Sequence, residues 1–280
     1  MSIDVLQKKI RKMKNPSALV LAPEPGMVPE GFDTPERYFS AVLAGLKDLV
    51  PAVRVNFAAF ALMGADGIEQ MQRLLKTAGE MGYYGILDWM VLEAPALAAV
   101  SAKTILQGDA FPCDAVTLCG YAGSDCVKPY LAAAGKKAVF ESVKTANKSG
   151  SELQDLQTGG RVVYTAAADL LNRWGETAME RCGYSRVAAV AGAANAASIR
   201  TLRQKYPKLF LMVEGLDLPG GNAKNVSYAF DQLGHGAVCS AGASILGAWR
   251  EGQDETDPIA AAVEAAERMK RNLNRYVTIL

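Results

Sequence analysis

Asp88 and Glu93 stand five positions apart in Gly85-Ile86-Leu87-Asp88-Trp89-Met90-Val91-Leu92-Glu93-Ala94-Pro95, an apolar run that ends in one carboxylate and passes into a short loop carrying a second. Two acids at the end of a strand suit charge chemistry such as pairing with a cation, receiving a proton, or stressing a bound anion. That chemistry wants an ammonium or a proton donor beside the first carboxylate. Position 90 offers instead the thioether of Met90, which carries no charge and gives up no proton. Other charged candidates are Arg54, inside the run 52–57, and Lys144, where a later apolar run ends. Lys144 has the chemistry of an amine nucleophile or of an ion-pair partner. Asp88 is expected to be a site charge paired with Arg54 or Lys144 rather than a catalytic base, and Trp89 to pack outward against a helix.

Other chemistries are poorly supplied. His235 is the only histidine, which excludes a multi-histidine metal centre, and it sits in Gly234-His235-Gly236, a turn. The five cysteines form no C-x-x-C pair and read as ordinary thiols of a reducing compartment, with Cys119 and Cys239 the two placed where a reactive thiol would be useful. Thirty basic residues against 29 acidic ones leave a formal charge of +1, so no bias toward nucleic acid is visible. Met1-Ser2-Ile3-Asp4 opens no signal-peptide core, and no apolar run reaches the length of a membrane span. A cytoplasmic chain that handles small molecules is the expectation.

The elements that must position these residues alternate. Residues 1–15 form an amphipathic opening helix, and apolar runs at 17–22, 52–57, 84–89, 114–119, 137–143, 187–191, 209–213 and 236–240 read as strands. Helical patterns fall between them at 34–49, 67–81, 95–106, 124–134, 162–181, 196–205 and 222–233, with a long loop at 145–160 and a closing helix at 256–275. Alternation at this spacing forces parallel pairing with right-handed crossovers. Eight units in a chain of 280 residues fit one α/β domain over 1–280, a (β/α)8 TIM barrel with parallel strands. Function in such a barrel is built at the carboxyl ends of the strands. Residues 22–33, 55–64, 88–94, 119–124, 144–160, 192–195, 214–221 and 240–244 should therefore ring one mouth.

At these positions the chain resembles a known family. Asp114-Ala115-Val116-Thr117 with Tyr121-Ala122-Gly123-Ser124-Asp125, Val143-Lys144-Thr145-Ala146-Asn147 with Gln154-Asp155-Leu156, and Gly215 with Pro219-Gly220-Gly221 look like the orotidine 5'-phosphate decarboxylases, in particular the longer bacterial form called type 2. The likeness runs from Leu19 to Leu246. It implies a homodimer of TIM barrels that converts orotidine monophosphate to uridine monophosphate in pyrimidine biosynthesis, without metal or organic cofactor. It also implies a D-x-K-x-x-D signature after the third strand, assisted by a lysine on the second, with the last acid reaching into the partner's site. Thr145, Asn147 and Gln154 would line the pyrimidine side, and Gly220 and Gly221 would present amides to an anion.

The residues depart from that pattern where the chemistry lies. Asp88 matches the first acid, but Met90 replaces the lysine, Glu93 the last aspartate, Arg54 the second-strand lysine and Ala22 the ribose aspartate. Pro219 stands for the glutamine before the Gly-Gly pair, and Ala243 for the phosphate-binding arginine. A positioned general acid contributes about 10²–10⁴ in rate and one electrostatic stabiliser about 10²–10³. Losing several together leaves little of the reaction even when the losses are not additive. The expectation is a catalytically impaired or repurposed homologue that binds a small molecule, a nucleotide or an anionic heterocycle, or serves as a dimeric scaffold. The alternative is an active decarboxylase or related lyase with a rearranged site built on Arg54, Asp88 and Lys144.

Overall fold

A computed structural model describes residues 1–251 and 257–280 of the chain. Strands β1 (Ser17–Leu21), β2 (Ala52–Asn56), β3 (Tyr84–Asp88), β4 (Ala115–Leu118), β5 (Ala138–Lys144), β6 (Ser185–Gly192), β7 (Leu209–Glu214) and β8 (Ala237–Ala241) pair in parallel, each with its sequence neighbours. β1 and β8 pair as well, which closes the barrel. The (β/α)8 architecture expected from the alternation is the one found. Each strand is short and almost wholly buried, as a strand covered by a helix on one face and by its own barrel on the other must be. Inside, Phe140 of β5 and Phe210 of β7 meet edge to face at 6.3 Å.

Local chemistry starts the helices. Thr34 accepts the amide of Arg37 at 3.3 Å with Pro35 at the first helical position, starting Pro35–Leu46. Asp257 and Pro258 do the same for the closing helix Pro258–Asn274, whose expected beginning at Thr256 lies outside the described residues. The opening helix Ile3–Met13 buries Ile3, Leu6 and Ile10, and Gln7 accepts the amide of Gly236 at 3.0 Å just before β8. This helix therefore lies by the amino-terminal rim, away from the mouth. Among the described residues no helix is long and apolar enough to cross a membrane.

Several expected elements differ, among them the helix expected at 162–181, which stops at Gly175. A short helix, Phe57–Ala61, precedes the helix Gly64–Glu80, because Asn56 at the end of β2 caps the amide of Ala59 at 2.8 Å. The loop 145–160 holds a helical turn, Ser151–Gln154, and runs into a two-stranded hairpin of Gln157–Thr158 with Arg161–Val162. The helix expected at 222–233 is only Ala223–Ser227.

Two glycines shape the rim. A side chain on Gly192 would stand 2.4 Å from the Cα of Ala146, so its absence lets the loop after β5 fold over the end of β6. Gly215 has φ +72°, and its turn brings Asp217 back toward the end of β8.

Candidate functional site

Charged and amide side chains occupy the last position of four strands: Asn56, Asp88, Lys144 and Glu214. The guanidinium of Arg54, one pleat lower on β2, forks between two of them, donating to Asp88 at 2.8 Å and to Glu214 at 2.9 Å. Asp88 takes further hydrogen bonds from Asn56 Nδ2 at 2.8 Å and from the Thr117 hydroxyl. Both carboxylate oxygens are thus engaged. Burial works against the charged guanidinium, but the Coulombic pull and hydrogen bonds of Asp88 and Glu214 overcome it, and Arg54 is held above its ordinary pKa. It cannot release a proton to a substrate at any ordinary pH.

Above this triad opens a cavity of about 420 Å³. Arg54, Asn56, Asp88 and Glu214 form part of its lining, Thr145 and Asn147 form another part, and Glu24, Asp217, Ser240 and Ala243 complete the polar and loop side. A volume of this size suits a small molecule, and carboxyl-end placement is where (β/α)8 proteins build their sites. Asp217 is turned to the β8 end, where its Oδ2 accepts the amides of Gly242 at 2.8 Å and Ser244 at 3.2 Å and the Ser244 hydroxyl at 3.2 Å.

Several expected site residues stand elsewhere. Lys144 pairs with Asp155 at 2.8 Å and not with Asp88, and neither Lys144 nor Asp155 lines the cavity; among the described residues no lysine lines it. Met90 is itself 38 % exposed, with φ +33° and its amide donating to Thr117 O at 3.1 Å. Glu93 is buried within its own chain, accepting hydrogen bonds from Tyr130 Oη at 2.6 Å and from the Ser101 hydroxyl. In return, burial first and the Glu93 carboxylate second push the Tyr130 phenol well up. Gln154 does not face the cavity; it braces Thr145, accepting its amide at 3.0 Å and donating to its hydroxyl at 2.9 Å. Gly220 and Gly221 are also absent from this cavity's lining. Gly221 donates to Leu218 O at 2.9 Å, and Asn222 caps the amide of Asn225 at 2.9 Å, so this is a tight turn with an asparagine cap.

Trp89 packs outward, as expected, 4.3 Å from the ring of Phe57 and 6.3 Å from that of Phe111. Cys239 is buried and its thiol is pushed up to about 12, which removes it as a nucleophile. His235 keeps to its turn, its amide held by Asp231.

Glu214, Asp217, Asn56 and Ser240 were not singled out from the sequence, and Thr117 entered only as part of a motif, with no role given to it. Glu214, Asp217 and Ser240 fall inside segments assigned to the mouth, and Asn56 inside 55–64. The available signal was a polar residue closing an apolar run, as in Leu-Met-Val-Glu at 211–214.

A closed eight-stranded parallel barrel with a cavity of small-molecule size at the carboxyl ends of its strands makes this a (β/α)8 protein. No protein-family model matches the chain. Among curated relatives, the orotidine 5'-phosphate decarboxylase of Rhodopirellula baltica is 30% identical over 213 residues, covering 73% of this chain and 70% of that one. The orotidine 5'-phosphate decarboxylase of Clostridium acetobutylicum is 29% identical over 234 residues, 81% of each. Of solved structures, the OMP decarboxylase of Leishmania donovani superposes with a TM-score of 0.77 at 22% identity, covering 98% of this chain and 99% of that one. The orotidine 5'-monophosphate decarboxylase of Methanocaldococcus jannaschii does so with 0.62 at 18%, covering 90% and 98%. The chain belongs to the orotidine 5'-phosphate decarboxylase family.

Proposed function

We propose that this barrel is a repurposed member of its family, a small-molecule-binding protein that no longer decarboxylates orotidine 5'-phosphate. One observation carries the reading. The Asp88 carboxylate is fully engaged by Arg54, Asn56 and Thr117, and the neighbouring position that would need a proton donor holds Met90. Decarboxylation leaves a carbanion that must be protonated in place, and a guanidinium locked between two carboxylates is too weak an acid to do so. The rearranged-site alternative loses its other cation, because Lys144 is tied to Asp155 outside the cavity.

Pairing with a second copy belongs to the same proposal, on a different footing from Glu93. Leu97 and Val100, three positions apart on the helix Pro95–Leu106, are 54 % and 61 % exposed, and Leu92 in the loop entering it is 70 % exposed. An apolar face of this kind suits a partner surface.

The direct test follows the absorbance of orotidine monophosphate with purified protein. No turnover above the buffer rate is expected. Turnover at an ordinary enzyme rate would overturn the reading.

A further inference from the structure

The cavity lining carries four carboxylates, Glu24, Asp88, Glu214 and Asp217, against the single guanidinium of Arg54, a formal charge of −3. Arg54 is shared by Asp88 and Glu214, so it does not offset the other two acids. Two lining groups are also buried without a partner. Ser240 Oγ, on a residue 1 % exposed, makes no hydrogen bond, and neither does Nε of Arg54. An unpartnered polar atom on a buried residue is costly to leave unmet, and Ser240 belongs to the lining of this cavity. Barrels of this architecture frequently hold a phosphate between the loops after the seventh and eighth strands, near a short helix. Here the amides of Gly242 and Ser244 at that place are taken by the chain's own Asp217. A phosphate dianion would have to displace a carboxylate there while lying beside more negative charge.

Resting on the reading of the site as a binding pocket, we infer that it takes a phosphate-free, positively charged ligand of nucleoside size, and that Asp217 is the residue that turns phosphomonoesters away. The four acids supply the attraction. Ser240 Oγ supplies a hydroxyl that donates or accepts, and 420 Å³ fits a base and sugar.

Four probes separate charge from phosphate: nicotinamide riboside, its 5'-phosphate, uridine and uridine 5'-monophosphate, each titrated calorimetrically into the intact protein at low salt. Nicotinamide riboside is expected to bind at least about tenfold tighter than either phosphorylated probe, and to weaken as salt is raised. Asp217→Asn keeps an acceptor for the Gly242 amide while removing the charge, and should narrow the gap between uridine and its monophosphate. Glu24→Gln, on an exposed side chain, should weaken nicotinamide riboside without touching the fold. Uridine monophosphate binding the wild type as tightly as uridine, or none of the four binding, would overturn the inference. Decarboxylation of orotidine monophosphate in the companion assay would instead overturn the proposed function, so the two failures are read separately.

Discussion

Arg54 and Asp88 meet at 2.8 Å in a contact where the two side chains are 7 % and 5 % exposed. A buried ion pair of this kind needs all its hydrogen bonds to offset desolvation, and Asp88 obtains them from Asn56 and Thr117. The pair is thus part of the barrel's framework and also the floor of its cavity. Losing the cation would leave two carboxylates close together at the cavity floor with no counter-charge between them.

Arg54→Met should therefore destabilise the fold by about 3–5 kcal/mol, and Arg54→Lys by less, since one ammonium can still reach one of the two acids but has no fork to span both. Urea unfolding measures it. A loss under about 1 kcal/mol for the methionine variant would show that the triad does not hold the rim together.

Met90→Lys combined with Ala243→Arg returns two side chains of the family pattern. The double variant should still fail to decarboxylate orotidine monophosphate. Position 90 is exposed outside the cavity lining, and the Asp88 oxygens it would have to address are already taken. Detectable turnover in this variant would mean that a lysine at 90 can reach Asp88 after all.

Glu141 of β5 is fully buried, neither of its oxygens has a partner, and burial raises its pKa from 4.5 to about 8. Between those values the folded chain keeps a proton that the unfolded chain has released. The stability tied to this proton is complete below pH 4.5 and is lost as pH rises through about 8. Glu141→Gln should flatten that dependence, removing a loss on the order of 5 kcal/mol by pH 9. Thermal unfolding at pH 5, 7 and 9 gives the comparison, and parallel curves for the two proteins would refute it.

If a second copy covers the helix Pro95–Leu106, Leu97→Glu with Val100→Glu should leave a folded monomer where the wild type scatters light as a dimer at micromolar concentration. Both side chains are exposed, so stability should change by no more than about 0.5 kcal/mol. A wild type that is itself monomeric ends the proposal.

The frame was legible because strands and helices announce themselves by period. Val53, Val55, Ile86, Leu87, Val116, Val139 and Val190 sit in runs that only a strand covered on both faces explains. The pairing of Asp88 with Arg54 was one of two options left open, and register settles it: β2 and β3 are neighbours, with Asn56 level with Asp88 and Arg54 one pleat below. Lys144 was harder, since nothing in its own strand tells that the loop returns Asp155 to it. The surroundings of Glu93 were hidden for a similar reason. Its partners Ser101 and Tyr130 come from two later helices, and a family pattern does not reveal a substitution that lengthens an acid until it finds them. Asp217 was invisible as an anion in its own right, because the turn at Gly215 that aims it depends on backbone angles that composition does not express.

Arg54 stands on β2 and its second acid, Glu214, on β7, reached around the ring through β1 and β8. Their link therefore spans the barrel beneath the cavity like a crossbar and sets how deep a guest can sink. Remodelling this vessel for a larger cargo would mean redesigning three side chains from separate strands at one stroke, since each alone leaves its mates without counterweight.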